Sequence, residues 1–194
     1  MKRYSSVLIF LLLVGCFVNA QNKYEREFRI RKSQFPPAAI GLIQDKLEDA
    51  KRIKYYKETD STKISYEAKF KKDRLWYSIE FDKEGTLEDV EILIKEVDIP
   101  SEPMQEIRKY LDKSFGKYRI KRIQQQYPTS IKEPTDETIK NAFQNLILPT
   151  INYEFIVAGK NDEEYFDYEL LFGANGRFKN MRKSLPPNYD HVLY

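Results

Sequence analysis

Apolar and polar residues alternate along most of this chain, and the alternation is interrupted at three places by a helical period. Period-two stretches occupy 25–32, 51–58, 63–71, 74–82, 87–95, 118–126, 150–158, 164–172 and 176–184, which predicts nine strands. Thr59-Asp60-Ser61, Lys71-Lys72-Asp73 and Asp82-Lys83-Glu84-Gly85 supply turns between the early strands. Links that short predict an antiparallel meander. Pro36 and Pro37 then open a helix whose apolar stripe is Ile40, Ile43, Leu47 and Ala50. Ser101 is placed to cap a second helix, with Pro103 in its first turn, a stripe of Met104, Ile107, Leu111 and Phe115, and Gly116 at its end. Pro134 and Thr135 start a short third helix bearing Ile139, Ala142, Phe143 and Leu146.

The same unit is written twice. EFRIRKSQFPP (27–37) is answered by EILIKEVDIPSEP (91–103), and KRIKYYKE (51–58) by YRIKRIQQ (118–125). ISYEAKF (64–70) is answered by INYEFIV (151–157), and WYSIEFDKEG (76–85) by DYELLFGANG (167–176). Four matches in one order point to a duplication, with units at 21–95 and 96–194 and an insertion at 128–149. The predicted fold class is α+β. Tandem helix-plus-four-strand repeats make one antiparallel sheet of about eight strands, with helices on one face and the other face open.

Period-two reading sorts the faces. Leu75, Tyr77, Ile79 and Phe81 turn inward, while Arg74, Trp76, Ser78 and Glu80 turn outward. Ile64, Tyr66, Ala68 and Phe70 go in, and Ser65, Glu67, Lys69 and Lys71 go out. Phe166, Tyr168, Leu170 and Phe172 go in, and Tyr165, Asp167, Glu169 and Leu171 go out. Leu93 and Ile156 also fall outside. The open face therefore carries Trp76, Tyr56 and Tyr165 among charges, with Arg74 and Glu80 beside them. Two readings stand side by side. Aromatics among charges suit a binding surface, and cross-strand aromatic pairs equally stabilise a solvated sheet. A one-residue bulge would exchange the faces locally.

The N-terminus sits outside this pattern. MKRYSS, then VLIFLLLVG, then Val18-Asn19-Ala20 read as the basic, apolar and cleavage regions of a secretory signal peptide at 1–20. A competing site, Leu13-Val14-Gly15-Cys16, fits a bacterial lipobox and would make Cys16 a lipidated N-terminus. Residues 1–20 hold Lys2 and Arg3 and no acid, so the formal charge of +3 falls to +1 without them. That is no basic footprint for nucleic acid. Cys16 is the only cysteine, so the exported part has no disulfide and no thiolate metal site. His191 is the only histidine, so no Ser-His-Asp or Cys-His arrangement can be drawn. Asp162, Glu163, Glu164 and Asp167 lack the spacing of a calcium loop and read as a solvated turn. No glycine-rich nucleotide loop is present, and no cofactor is expected.

The helix after FPPAA or IPSEP, the YEAKF and YSIEFDKEGTLEDVEI meander, and its second copy resemble the PepSY-like proteins of exported bacterial chains, which are grouped with the beta-lactamase-inhibitor-protein fold. The resemblance covers roughly residues 25–185. It implies a concave sheet of eight strands with helices on the convex side and no family-wide catalytic residue. In the inhibitor branch the concave face grips a protein. This chain departs from that branch in having no disulfide cysteines. The expectation is a non-enzymatic extracytoplasmic binding module, an inhibitor or regulator of an envelope or periplasmic protein. The alternative is a carrier of a small apolar or peptide-like ligand in the concave face. Periplasmic or secreted release, or a lipid anchor through Cys16, are the expected locations.

Overall fold

In the computed structural model of the chain, residues 21–23, 25–60, 63–161 and 164–184 are described. The signal peptide, Cys16, His191, Asp162 and Glu163 lie outside them. All nine alternating stretches form strands: β2 (Glu25–Ile30), β3 (Lys51–Asp60), β4 (Lys63–Lys72), β5 (Leu75–Asp82), β6 (Leu87–Ile94), β7 (Tyr118–Pro128), β8 (Asn152–Asn161), β9 (Glu164–Gly173) and β10 (Phe178–Ser184). A tenth, β1 (Gln21–Lys23), was not foreseen. They form one sheet in the order β1-β10-β9-β8-β7-β6-β5-β4-β3-β2, so the expected sheet of about eight strands is corrected to ten. Every ladder from β2 through β10 is antiparallel and joins sequence neighbours. Only β1 pairs in parallel, with β10.

Three helices pack on one face: α1 (Pro37–Ile43), α2 (Ser101–Ser114) and α3 (Thr135–Phe143). From α1, Ala39 and Ile43 are buried; from α2, Met104, Ile107 and Leu111; from α3, Ile139 and Ala142. They meet Phe70, Tyr77, Ile79, Phe81, Phe155 and Phe172 from the sheet in one core. The insertion helix is part of this core, because the Phe143 ring stacks on Tyr77 with centroids 4.6 Å apart and planes at 6°.

The helix ends differ from expectation. α1 stops at Ile43, so Leu47 and Ala50 lie in the turns that follow and are half-buried. The i−4 pattern persists there in one bond, from Leu47 N to Ile43 O at 3.0 Å. Asp49, at φ 59°, then ends the helical backbone, since a left-handed residue cannot continue it. Ser101 is not a cap: Pro100 holds the N-cap position of α2, with no side-chain bond. Gly116 does not terminate α2. Phe115 does so in extended backbone, its N–H donating to Leu111 O at 2.9 Å. Leu146 lies beyond α3 and is 37% exposed.

Two turn glycines fix the helix starts. Gly85 in the β5–β6 turn and Gly176 in the β9–β10 turn both have positive φ, 86° and 76°. A Cβ on Gly85 would lie 3.0 Å from Ala39 N, and one on Gly176 would lie 2.3 Å from the Pro103 carbonyl oxygen. Each turn thus presses against the proline-led start of a helix, where only glycine fits.

The sheet is strongly curled. β1 and β2 stand at opposite ends of the strand order, yet only Tyr24 separates them in the chain. Two residues of backbone reach no further than about 7 Å. The two sides of the sheet therefore come together at that corner. The helix-free face lies inside the curl, which is why Glu67, Glu91, Glu169 and Gln124 are buried although no described helix covers them.

The core makes a graded stability prediction. Leu111→Ala, at 0% exposure, should cost about 2–5 kcal/mol in urea denaturation. Leu47→Ala should cost distinctly less, because Leu47 is only half-buried. Gly176→Ala should destabilise more than Gly85→Ala, since its methyl would meet a backbone carbonyl. Equal midpoints for the two glycine variants would contradict the packing described.

Candidate functional site

The residues that point away from the helices form rows across the concave face, set by strand register. In the first row Tyr56, Glu67, Glu80 and Asp89 oppose one another in turn on β3, β4, β5 and β6. The second row runs Lys69, Ser78, Glu91, Gln126, Asn152 from β4 to β8. The third continues Leu93, Gln124, Glu154, Leu171 from β6 to β9. A fourth holds Arg122, Ile156, Glu169 and Arg182. The centre of the face is a cluster of carboxylates and amides.

The register shift between Glu80 and Phe81 places this cluster. Glu80 pairs with Asp89 while Phe81 pairs with Leu87, so Glu88 is the extra residue of a bulge. The bulge turns Asp89, Glu91 and Leu93 to the concave side and Val90, Ile92 and Ile94 to the core. The sequence reading caught Leu93 alone of these three. The signal was present in Asp89-x-Glu91-x-Leu93, an alternation that starts only after the bulge.

Most acids on or beside this face have a cation within the chain. Lys69 Nζ lies 2.8 Å from Glu27 and 2.6 Å from Glu67, and 4.9 Å from the Tyr56 ring centroid. Burial works against the Lys69 charge, but Glu67 and Glu27 outweigh it and hold its pKa above the usual lysine range. Lys121 pairs with Asp167 at 2.7 Å, Arg182 with Glu169 at 2.5 Å, and Lys63 with Glu88 at 2.8 Å. Among the described residues, no lysine or arginine forms an ion pair with Glu80, Asp89 or Glu91.

Amides serve Glu91 and Asp89 instead. Gln124 Nε2 donates to Glu91. A directed relay runs from Lys179 Nζ to Asn152 Oδ1 (2.5 Å), from Asn152 Nδ2 to Gln126 Oε1 (2.8 Å), and from Gln126 Nε2 to Asp89 Oδ2 (3.0 Å). Each bond polarises the next. Asp89 Oδ1 and Gln124 Oε1 are buried and accept no hydrogen bond among the described residues.

Burial and like charge raise the pKa of all three acids. Asp89 is pushed to about 8, by burial first and then by Glu154, Glu88 and Glu67. Glu80 is raised by burial, then Asp89 and Glu58, and Glu91 by burial, then Glu154 and Asp89.

The sequence-predicted residues divide. Tyr56 and Glu80 join the first row. Trp76 is half-buried on the concave side of β5, its ring 5.6 Å from Arg52 and 5.9 Å from Lys71. Tyr165 is 57% exposed near the β8–β9 hairpin, opposite Lys160. It is four strands from β5, about 19 Å counted along the ladder. Arg74 is corrected: with Asp73 it forms the β4–β5 turn, at φ 48° and 71°, and belongs to neither strand face. Three hollows lined by described residues lie at β2–β3, between α1 and α3, and beside α2; Trp76, Tyr56 and Tyr165 line none of the three.

The carboxylates give a pH prediction. A raised folded-state pKa means that the folded chain holds protons which the unfolded chain releases. Their stabilising contribution is present below the ordinary aspartate value of 3.8 and is lost as pH rises to about 8. Melting temperature should fall from about pH 5 to about pH 8. Asp89→Asn keeps an acceptor for Gln126, so it should raise the melting temperature at pH 8 by several degrees and flatten the profile. An unchanged profile in that variant would remove Asp89 from the cause.

No family model and no curated protein matches the sequence. Solved structures do match. A protein described as periplasmic from Bacteroides eggerthii aligns with a TM-score of 0.51 at 12% identity, over 76% of this chain and 88% of that one. A DUF2874 family protein from Bacteroides uniformis aligns with a TM-score of 0.51 at 10% identity, over 77% and 89%. A BLIP-like protein from Bacteroides fragilis aligns at 0.49 with 12% identity, over 84% and 96%. At such identities the likeness is one of fold: an α+β chain built on a long antiparallel sheet with helices on one side.

Proposed function

We propose that this chain is an exported, non-enzymatic binding module that grips a protein in its concave sheet face. The observation that carries the reading is one-sided coverage. Among the described residues all three α-helices pack on one face, and the other presents Trp76, exposed Leu93 (43%) and a charged centre to whatever enters the curl. Trp76 is held between Arg52 and Lys71, so little side-chain entropy would be lost when a partner covers it. Between Gln21 and Asp190 the chain has neither histidine nor cysteine, which supports the non-enzymatic reading. The carrier reading places Trp76 and Tyr165 around one ligand, and neither lines any of the three hollows formed by described residues.

Export rests on the signal-peptide pattern at 1–20 and on the periplasmic description of the structural neighbour. Among the described residues no helix is long and apolar enough to cross a membrane. Intact mass of the chain from its own host should correspond to a start at Gln21; an acylated mass on Cys16 would replace release by anchoring.

Binding is tested by a photo-crosslinking amino acid placed at Leu93 or, as a control, at Val97 beside the helix face. In the intact envelope, Leu93 should yield a discrete protein adduct and Val97 none. Trp76→Ala should weaken that adduct roughly 30-fold in apparent affinity while leaving the melting temperature unchanged. A lower melting temperature with an undiminished adduct would make Trp76 a packing residue and displace the site from this face.

A further inference from the structure

We propose that the partner inserts an arginine side chain into the centre of the concave face, where Glu80, Asp89 and Glu91 receive its guanidinium. This rests on the concave face being the binding face, and it adds the chemistry of what is bound.

The face sets its own precedent. Glu67 has Lys69, Asp167 has Lys121 and Glu169 has Arg182. Among the described residues the three central acids have no such cation: Glu91 and Asp89 have amide donors, from Gln124 and Gln126, and Glu80 stands opposite Asp89 in the register. An independent observation points the same way. Gln124 is only 8% exposed and is turned to the cluster, since its Nε2 donates to Glu91. Among the described residues its own Oε1 has no donor, and neither has Asp89 Oδ1. Buried acceptors without donors are costly, and a fork of five N–H groups is the complement they lack.

The spacing favours a guanidinium over a metal ion. Calcium binds its oxygens at 2.3–2.6 Å, so two oxygens of one shell are at most about 5 Å apart. Among the described residues, the one acidic trio with oxygens inside 4.8 Å is Glu27, Glu58 and Glu67. Lys69 already pairs with two of its members. Glu80, Asp89 and Glu91 are more widely spaced, as suits a planar cation bridging several acceptors. Half-buried Trp76 and exposed Leu93 lie on the same face and offer apolar surface to the arginine stem. The raised pKa values support the assignment, because a bound cation would return these acids to their charged form. The charged groups around the cluster are Glu58 from β3, Glu67 and Lys69 from β4, Lys63 and Glu88 at its edge, and Glu154 from β8.

The test is a titration of the purified protein with a tetra-arginine peptide, followed by the side-chain amide NMR signals of Gln124 and Gln126. The native protein should show saturable shifts. The double variant Asp89→Asn/Glu91→Gln keeps both amide acceptors and should bind roughly tenfold or more weakly. The control Glu102→Gln/Glu106→Gln on α2 should bind as the native protein does. Equal binding by the double variant, or equal weakening by the control, overturns the proposal. So does calcium chloride shifting the same signals saturably and displacing the peptide, which would assign a metal. If the peptide does not bind but the Leu93 adduct forms, the arginine assignment fails and the concave-face reading survives. If neither occurs, both fail.

Discussion

The structure depends on one constraint: among the described residues, a ten-stranded sheet has helices for only one of its faces. Ile43, Ile107, Leu111 and Ile139 come from three helices and enter a single core. The aromatic rings between them join sheet to helix: Phe70 and Tyr77 stack on Phe143 of α3, and Phe172 meets Tyr110 of α2 edge-on. With the core confined to one side, the other side must be polar, and curling narrows the space available to it. Charges that would be harmless on a flat solvated sheet are crowded together. The chain accommodates most of them by pairing each acid with a cation from a nearby strand. Where pairing stops, at Glu80, Asp89 and Glu91, the electrostatic imbalance and the chemistry of the face coincide.

Much of this was legible in the sequence because a sheet covered on one side alternates strictly. Nine strands, the α2 stripe from Met104 to Phe115, and the outward position of Tyr56, Trp76, Glu67 and Leu93 follow from period two and period 3.6. What alternation could not show were the places where the backbone departs from it. Asp89 and Glu91 share the parity of outward Leu93; what alternation could not show was the bulge at Glu88, which sets Asp89 opposite Glu80 while Phe81 keeps Leu87. The tight turn at Asp73 and Arg74 removed Arg74 from the strand to which counting had assigned it. Leu47 fitted a helical stripe, yet α1 ends four residues earlier. The strand at 21–23 carries no alternation of its own, and its pairing with β10 depends on residues 161 positions away.

Side-chain amides were the least legible part of the site. Gln124, Gln126 and Asn152 look like ordinary polar positions in a strand. Their role is visible only once register aligns β6, β7 and β8 and the relay from Lys179 to Asp89 can be traced. Lys69 shows the same limit: its outward position was readable, but not that it would stand between Glu27 on β2 and Glu67 on its own strand.

The strand order also governs how the chain can assemble. From β2 to β10 each ladder joins strands consecutive in sequence, by a tight turn or by a connection that carries one of the helices, so the sheet can grow strand by strand as the polypeptide emerges, with no long-range loop to close. β1 is different. Its partner is the last strand described, Gln21 meeting Arg182, and that contact closes nearly the whole length of the domain into one loop. It can form only after β10 exists. The corner where the two sides of the curl meet is thus the final piece of architecture to be set, and it holds the earliest and latest strands in a single parallel clasp.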